Sequence, residues 1–365
     1  NMSHLFYNCE SLTSIELTNF NTANAKYMDF LFYNCKTISE LNLINFDTSQ
    51  VFNMSNIFCS CSSLTSLNIF FDTKNVENME SMFTNCTLLK SIDISYFNTS
   101  NVITMANMFK NCYSLISLNL SNFETNNVIN MSHMFYNCSN IYELDLSSFE
   151  TNKVADMSSL FHSCSNLTEL NISNFNVSSV INMEYMFKQC ESLLSLNLSH
   201  FITTNCNNMK EMFFGCASLE ELDVSNFDTE SITDLSGVFY DCKSLYSLDL
   251  SSFITERVEN MSSMFYLCEN LTYLNIENFN GQNIKNLNYM FYNCFSLTSV
   301  KIINFNSQKV INMEYMFYNC FSLNSLEINN FNPQYLQQME YLFYNCSNLT
   351  SLDLSKFQTT NVRNM

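Results

Sequence analysis

Cysteine recurs at positions 9, 35, 61, 86, 112, 138, 164, 190, 216, 242, 268, 294, 320 and 346, and every step is 26 residues except the 25 between Cys61 and Cys86. A period held across a whole chain marks a repeat array, in which each unit buries its apolar face only by stacking on its neighbours. The register predicts one solenoid over residues 1–365, made of about fourteen 26-residue repeats and forming a segment of a larger protein.

Within a unit, apolar residues follow the cysteine by three, six and eight positions, as Leu115, Leu118 and Leu120 follow Cys112. The last two alternate as a short strand does, and one strand per unit gives a parallel sheet along one face. A phenylalanine stands at the eleventh position, from Phe20 to Phe357, as an interior spine. In the short unit Phe71 takes this place, which implies that one residue is lost from the turn just before it. The second half of each unit changes period. Met131, Met134, Phe135 and Cys138 have helical spacing, Asn130 stands where an N-cap would, and Glu184, Glu314 and Glu340 fall in the first turn. The predicted fold class is therefore an α/β solenoid: a right-handed leucine-rich repeat array with a parallel sheet on one face and short helices on the other.

The 34 acids and 15 bases give a formal charge of −19. Such a field repels phosphate backbones, so no nucleic-acid partner is expected, and a cationic protein is the better electrostatic match. No apolar run approaches the ~20 residues that span a bilayer, so this segment is not expected to insert in a membrane. The cysteine spacing lacks the paired clusters that close around zinc, and three glycines cannot build phosphate or metal loops; no metal and no cofactor is expected. Buried thiols stacked as a ladder and regular disulfides are the alternatives for the cysteines, and Cys59 with Cys61 is the pair best placed for oxidation. His4, His133, His162 and His200 lie in different units, and no nucleophile, base and orienting group share a register. Enzyme activity is therefore not expected.

The unit MSHMFYNCSNIYELDLSSFETNKVADM, residues 131 to 157, resembles the BspA-like leucine-rich repeat family, in its variant N-M-x-x-M-F-x-x-C-x-x-L-x-x-L-x-L-x-x-F. The resemblance runs through the whole chain. It implies a cell-surface or secreted module that binds proteins or adheres, with extracellular matrix among its partners; a cytoplasmic scaffold is the alternative.

Two rows of residues are candidate sites. Seven positions after the cysteine the residue is Asn or an acid, with Lys301 the exception. Stacked side chains there form either a self-satisfying polar ladder or, where acids adjoin, a footprint for a cationic partner or a weakly held calcium ion. The candidate protein-binding residues are Glu143, Asp145, Glu169, Glu220, Glu221, Asp223 and Asp249. On the opposite side, Tyr289, Tyr292, Tyr315, Tyr318, Tyr341 and Tyr344 form rows suited either to mutual stacking or to self-association. Fifteen N-x-[ST] triplets, Asn98, Asn130 and Asn348 among them, would accept glycans only in a eukaryotic secretory protein.

Overall fold

The computed structural model describes residues 1–303, 305–328 and 331–365. It forms two compact units, Asn1–Asn176 and Val177–Met365. Each is a parallel β-solenoid in which a short strand begins five residues after the cysteine.

In the first unit β1 (Glu40–Asn42) pairs with β2 (Ser66–Asn68), and β3 (Glu143–Asp145) with β4 (Glu169–Asn171). In the second, β5 (Ser195–Leu196) pairs with β6 (Glu221–Leu222), β7 (Ser247–Asp249) with β8 (Tyr273–Asn275), and β9 (Ser299–Lys301) with β10 (Ser325–Glu327). All pairs are parallel, and like positions of successive coils face each other, as Leu144 faces Leu170. A second ladder of parallel bridges joins Tyr27, Asn53, Asn78, Thr104, Asn130 and Asp156 in the first unit; in the second, bridges of the same kind join Asn182 with Asn208, and Asp234, Asn260, Asn286, Asn312, Gln338 and Asn364 in turn.

The expected helices are not there. Among the described residues no helix occurs, and the segment with helical spacing is a run of tight turns. The reason lies in two left-handed residues per coil, His133 (φ 58°) and Asn137 (φ 61°) in the coil around Cys138, with counterparts in every other coil. Each interrupts the run of right-handed dihedrals that an α-helix needs. The N–H groups then part company. Met134, Tyr136 and Cys138 donate to carbonyls three residues back in the same coil, at 3.1–3.2 Å. Met131, His133, Phe135 and Asn137 donate instead to Asp156, Ser158, Leu160 and His162 of the next coil. Turns of this kind still bring Met131, Met134, Phe135 and Cys138 to one side, and all four are fully buried. Asn130 caps no helix: its Oδ1 accepts the N–H of Ser132 at 2.8 Å, closing an Asx-turn. Glu184 and Glu314 likewise donate their N–H groups to Asn182 and Asn312 rather than sitting on a helix dipole.

Side chains join the coils in files. Phenylalanines stack in two spines, one through Phe97, Phe123, Phe149 and Phe175, the other through Phe83, Phe109, Phe135 and Phe161, with ring centroids 5.5–6.5 Å apart. The cysteines form a ladder of free thiols. Along the ladder a thiol donates to the carbonyl of the phenylalanine three residues before the preceding ladder cysteine, as Cys112 does to Phe83, Cys138 to Phe109 and Cys242 to Phe213, at 3.1–3.2 Å. The Phe109 carbonyl also accepts the backbone N–H of Cys112, so both lone pairs are used. A small apolar side chain with a weak donor meets this need, which accounts for cysteine at the position. Burial pushes the thiols of Cys112, Cys164 and Cys216 up to about 12, far from reactive thiolates.

A third file was not foreseen. Buried threonines thirteen residues after the cysteine, twelve in the short coil, tie nine of the coils to the next, from Thr22 to Thr255. Thr99 donates to the carbonyl of Glu124 and accepts its N–H, both at 2.8 Å; Thr203 does the same with Asp228.

The short coil keeps its stack, since the bridges run through Asn53, Asn78 and Thr104 without a gap. In the coils before and after it, the N–H groups of Phe46 and Phe97 close a turn onto Leu43 and Ile94. In the short coil alternation runs straight on instead: Ile69 and Phe71 are buried and Phe70 points out. The residue is missing from the turn before Phe71, as the register implies.

Candidate functional site

The strand positions that line one face alternate exposed and buried, so residues five and seven after the cysteine look outward. The structure brings the acidic candidates together in two groups, one in each unit. In the first, Glu143 lies opposite Glu169 across the β3–β4 pair, and Asp145 opposite Asn171. In the second, Glu221, Asp223 and Asp249 line a concavity of about 720 Å³ over β5, β6 and β7, with Ser195 and Asn197 at its side. Glu220 is exposed next to it on the same strand segment, and its carbonyl accepts the N–H of Tyr246.

The aspartates of this row serve the backbone first. Asp145, Asp223 and Asp249 each accept, through Oδ1, the N–H of the serine two residues on, at 2.9–3.0 Å. Asn119, Asn171 and Asn197 do the same. The position takes Asn or Asp interchangeably because only a side-chain oxygen is required to close the Asx-turn that ends the strand. The same chemistry generates the N-x-S triplets at Asn119, Asn171 and Asn197, where Ser supplies the N–H two residues on.

Hydrogen bonds from the hydroxyl and N–H of Ser225 hold the Asp223 carboxyl below the ordinary range, and those of the N–H and hydroxyl of Ser251 do so for Asp249. Both therefore stay ionised to lower pH than a free aspartate. Both aspartates line the concavity. Glu221 accepts the hydroxyl of Tyr246, whose own ionisation is pushed up by that bond.

The tyrosine rows stack in register. Phe214, Tyr240, Tyr266, Tyr292, Tyr318 and Tyr344 form one file with centroids 4.1–4.8 Å apart and planes within 10°. Tyr289, Tyr315 and Tyr341 form a second at 4.9–5.0 Å, tilted against the first. These three occupy the left-handed position, at φ 54–60°, an unfavourable backbone for an aromatic residue. Lys188 packs over the ring of Phe214 at 4.3 Å and pairs with Glu211, closing the first file at that end.

An asparagine ladder exists, in a different column from the expected one. The amides of Asn111 and Asn137 donate to the side-chain oxygens of Asn85 and Asn111, and Asn345 to Asn319. The column is the left-handed residue just before the cysteine, where Asn is the side chain that best tolerates φ > 0.

Among the described residues no group of three or more His, Cys, Asp and Glu is placed to hold a metal ion. His133 and His162 both pack against Tyr136, at 5.6 and 4.6 Å. No helix is long and apolar enough to cross a membrane.

A family model described as "Mycoplasma protein of unknown function, DUF285" matches residues 1–116, 67–169, 138–222, 193–295 and 268–365. No curated protein matches the chain. Among solved structures it is similar to a leucine-rich repeat protein from Bacteroides ovatus, with 19% identity over 89% of this chain and 81% of that one, at TM-score 0.40. A leucine-rich cell surface protein from Faecalibacterium prausnitzii gives 18% identity, 82% and 75% coverage and TM-score 0.36. An internalin from Listeria monocytogenes gives 15%, 88% and 87%, and 0.26.

Proposed function

The chain belongs to the family of unknown function whose model spans it, and on that premise we propose that it is a non-catalytic protein-binding module acting at the cell surface or in secreted form. The observation that carries this reading is the concavity over β5–β7, where Glu221, Asp223 and Asp249 converge and no basic residue lines the wall. Ionised carboxylates about a strand spacing apart repel one another, and a cationic partner relieves that repulsion. The role in adhesion implied by the BspA-like resemblance agrees with such a surface, with extracellular matrix as a partner class; Glu143, Asp145 and Glu169 offer a smaller footprint of the same kind.

The test is binding of the chain to immobilised basic and matrix proteins before and after Glu221→Ser, Asp223→Asn and Asp249→Asn. Asn keeps the Asx-turn, so the fold is retained while the charge is lost. The reading expects weaker binding by the triple variant; unchanged affinity for every ligand that the parent binds would sink this site.

A second reading rests on the paired tyrosine files: assembly through Tyr289, Tyr292, Tyr315, Tyr318, Tyr341 and Tyr344, with the rings of Tyr341 and Tyr344 exposed. Serine at Tyr292, Tyr318 and Tyr344 should then lower self-association in sedimentation. A parent chain that sediments as a monomer at every concentration excludes it.

A further inference from the structure

The short coil of the first unit carries a feature that its fold does not require. Phe70 follows Ser66 and Asn68 in the outward file of the strand face, and its side chain is 65% exposed. Its neighbour in the next coil is Tyr96, at a position where Asn122 and Asn174 stand in other coils. Those asparagines donate to the backbone carbonyls of Ser95 and Ser147 in the preceding coil. With one turn residue missing, the corresponding acceptor is the carbonyl of Ile69, and the longer tyrosine reaches it with its hydroxyl. The deletion thus explains Tyr96. It does not explain Phe70, since Ser or Asn would serve an outward position better.

The two rings lie 4.9 Å apart at 31°, and they share a concavity of about 370 Å³ with Asn42, Ile44, Asn68 and Asp93. Ile44 is also largely exposed. Asp93 spends Oδ1 on the hydroxyl and N–H of Ser95, which hold its carboxyl below the ordinary range. A second concavity on the same face shares Asn42 and Asn68 and adds Glu40. Among the described residues neither lining includes a base.

We infer that Phe70, Tyr96 and Asp93 form an anchor for an arginine side chain on an extended segment of a protein partner, distinct from the acidic concavity over β5–β7. An aromatic face attracts a cation through its quadrupole, and guanidinium, planar and weakly hydrated, stacks on it while donating to a carboxylate at its edge. Ammonium does this less well because it is compact and firmly hydrated. Ile44 offers apolar cover to the side-chain stem. Glu40 stands two coils before Asp93, about 10 Å away at a strand spacing of about 4.8 Å, a span that the long side chains of residues i and i+2 of an extended segment can bridge.

The probe is a blocked five-residue peptide carrying two arginines separated by one serine, with lysine and glutamine counterparts, titrated calorimetrically into the 365-residue chain. The arginine peptide is expected to bind more tightly than the lysine peptide, and the glutamine peptide not to bind. Phe70→Ser and Asp93→Asn should each weaken arginine-peptide binding by about fivefold, and Phe70→Tyr should retain it. Asp93→Asn keeps the Asx-turn, and an exposed Phe70 contributes little to stability, so unchanged thermal unfolding is expected of both. The Glu221→Ser, Asp223→Asn, Asp249→Asn variant should leave the Phe70-dependent part of the affinity intact. Equal binding by parent and Phe70→Ser overturns the anchor whatever the triple variant does, and loss caused by the triple variant alone assigns the cation to the other site.

Discussion

The two halves of a coil differ in how strictly they are built. In the turn half every coil repeats the same two left-handed residues, and coil after coil repeats the alternation of N–H groups between its own carbonyls and those of the next, with the thiol ladder beside it. In the strand half the ladder is brief and intermittent: strands are two or three residues long, and none is formed after Cys86 or Cys112. Stability is concentrated where the backbone is over-determined, and surface variety collects where it is not. The acids, Phe70 and the exposed Tyr273 all lie on the looser half, the surface a partner can reach.

That contrast can be broken first in the turn half. Phe135→Ala removes a fully buried ring stacked between Phe109 and Phe161, and should destabilise the first unit by about 3–5 kcal/mol in denaturant unfolding. Thr99→Val, nearly the same shape, strands both the carbonyl and the N–H of Glu124; a loss of about 1–3 kcal/mol is expected. Asn137→Ala places an ordinary side chain in the left-handed region and should cost about 1–2 kcal/mol, whereas Asn137→Gly should be nearly neutral, because Gly215 fills the same position at φ 75°. The smallest effect is expected on the strand face. Asp223→Asn should leave stability at neutral pH unchanged because the Oδ1 acceptor survives. It should also flatten the acid limb of the stability profile. The folded carboxyl titrates below its unfolded value of about 3.9, so its contribution is present above that pH and is lost as pH falls through the folded value.

The period, the phenylalanine spine, the short unit and the buried thiols were legible because stacking demands the same residue at the same place in every coil. The second half of the coil was misread for a physical reason: apolar residues at i, i+3, i+4 and i+7 mark a shared face, and two tight turns produce that face as well as a helix does. The contrary signal lay in the residue before each cysteine, where Asn recurs and Gly215, Ser163 and Asp241 also stand, side chains that tolerate φ > 0, with Gln189 and Leu267 the exceptions. The asparagine ladder was expected on the strand face, seven residues after the cysteine, because both columns are rich in Asn and only geometry shows which amides meet. For the candidate site, sequence placed the acids on one strand face, but it gave no sign that their first task is to end the strand. Phe70 went unremarked because its exposure follows from the lost turn residue and not from its identity.

The central claim is that Phe135, at the heart of the segment with helical spacing, hydrogen-bonds to the next coil. Scalar couplings across hydrogen bonds, measured by NMR on the deuterated chain, test it directly. The structure predicts a coupling from the Phe135 amide nitrogen to the carbonyl carbon of Leu160, across a bond of 3.0 Å. A coupling to the carbonyl of Met131, four residues back, would establish the helix and contradict the account.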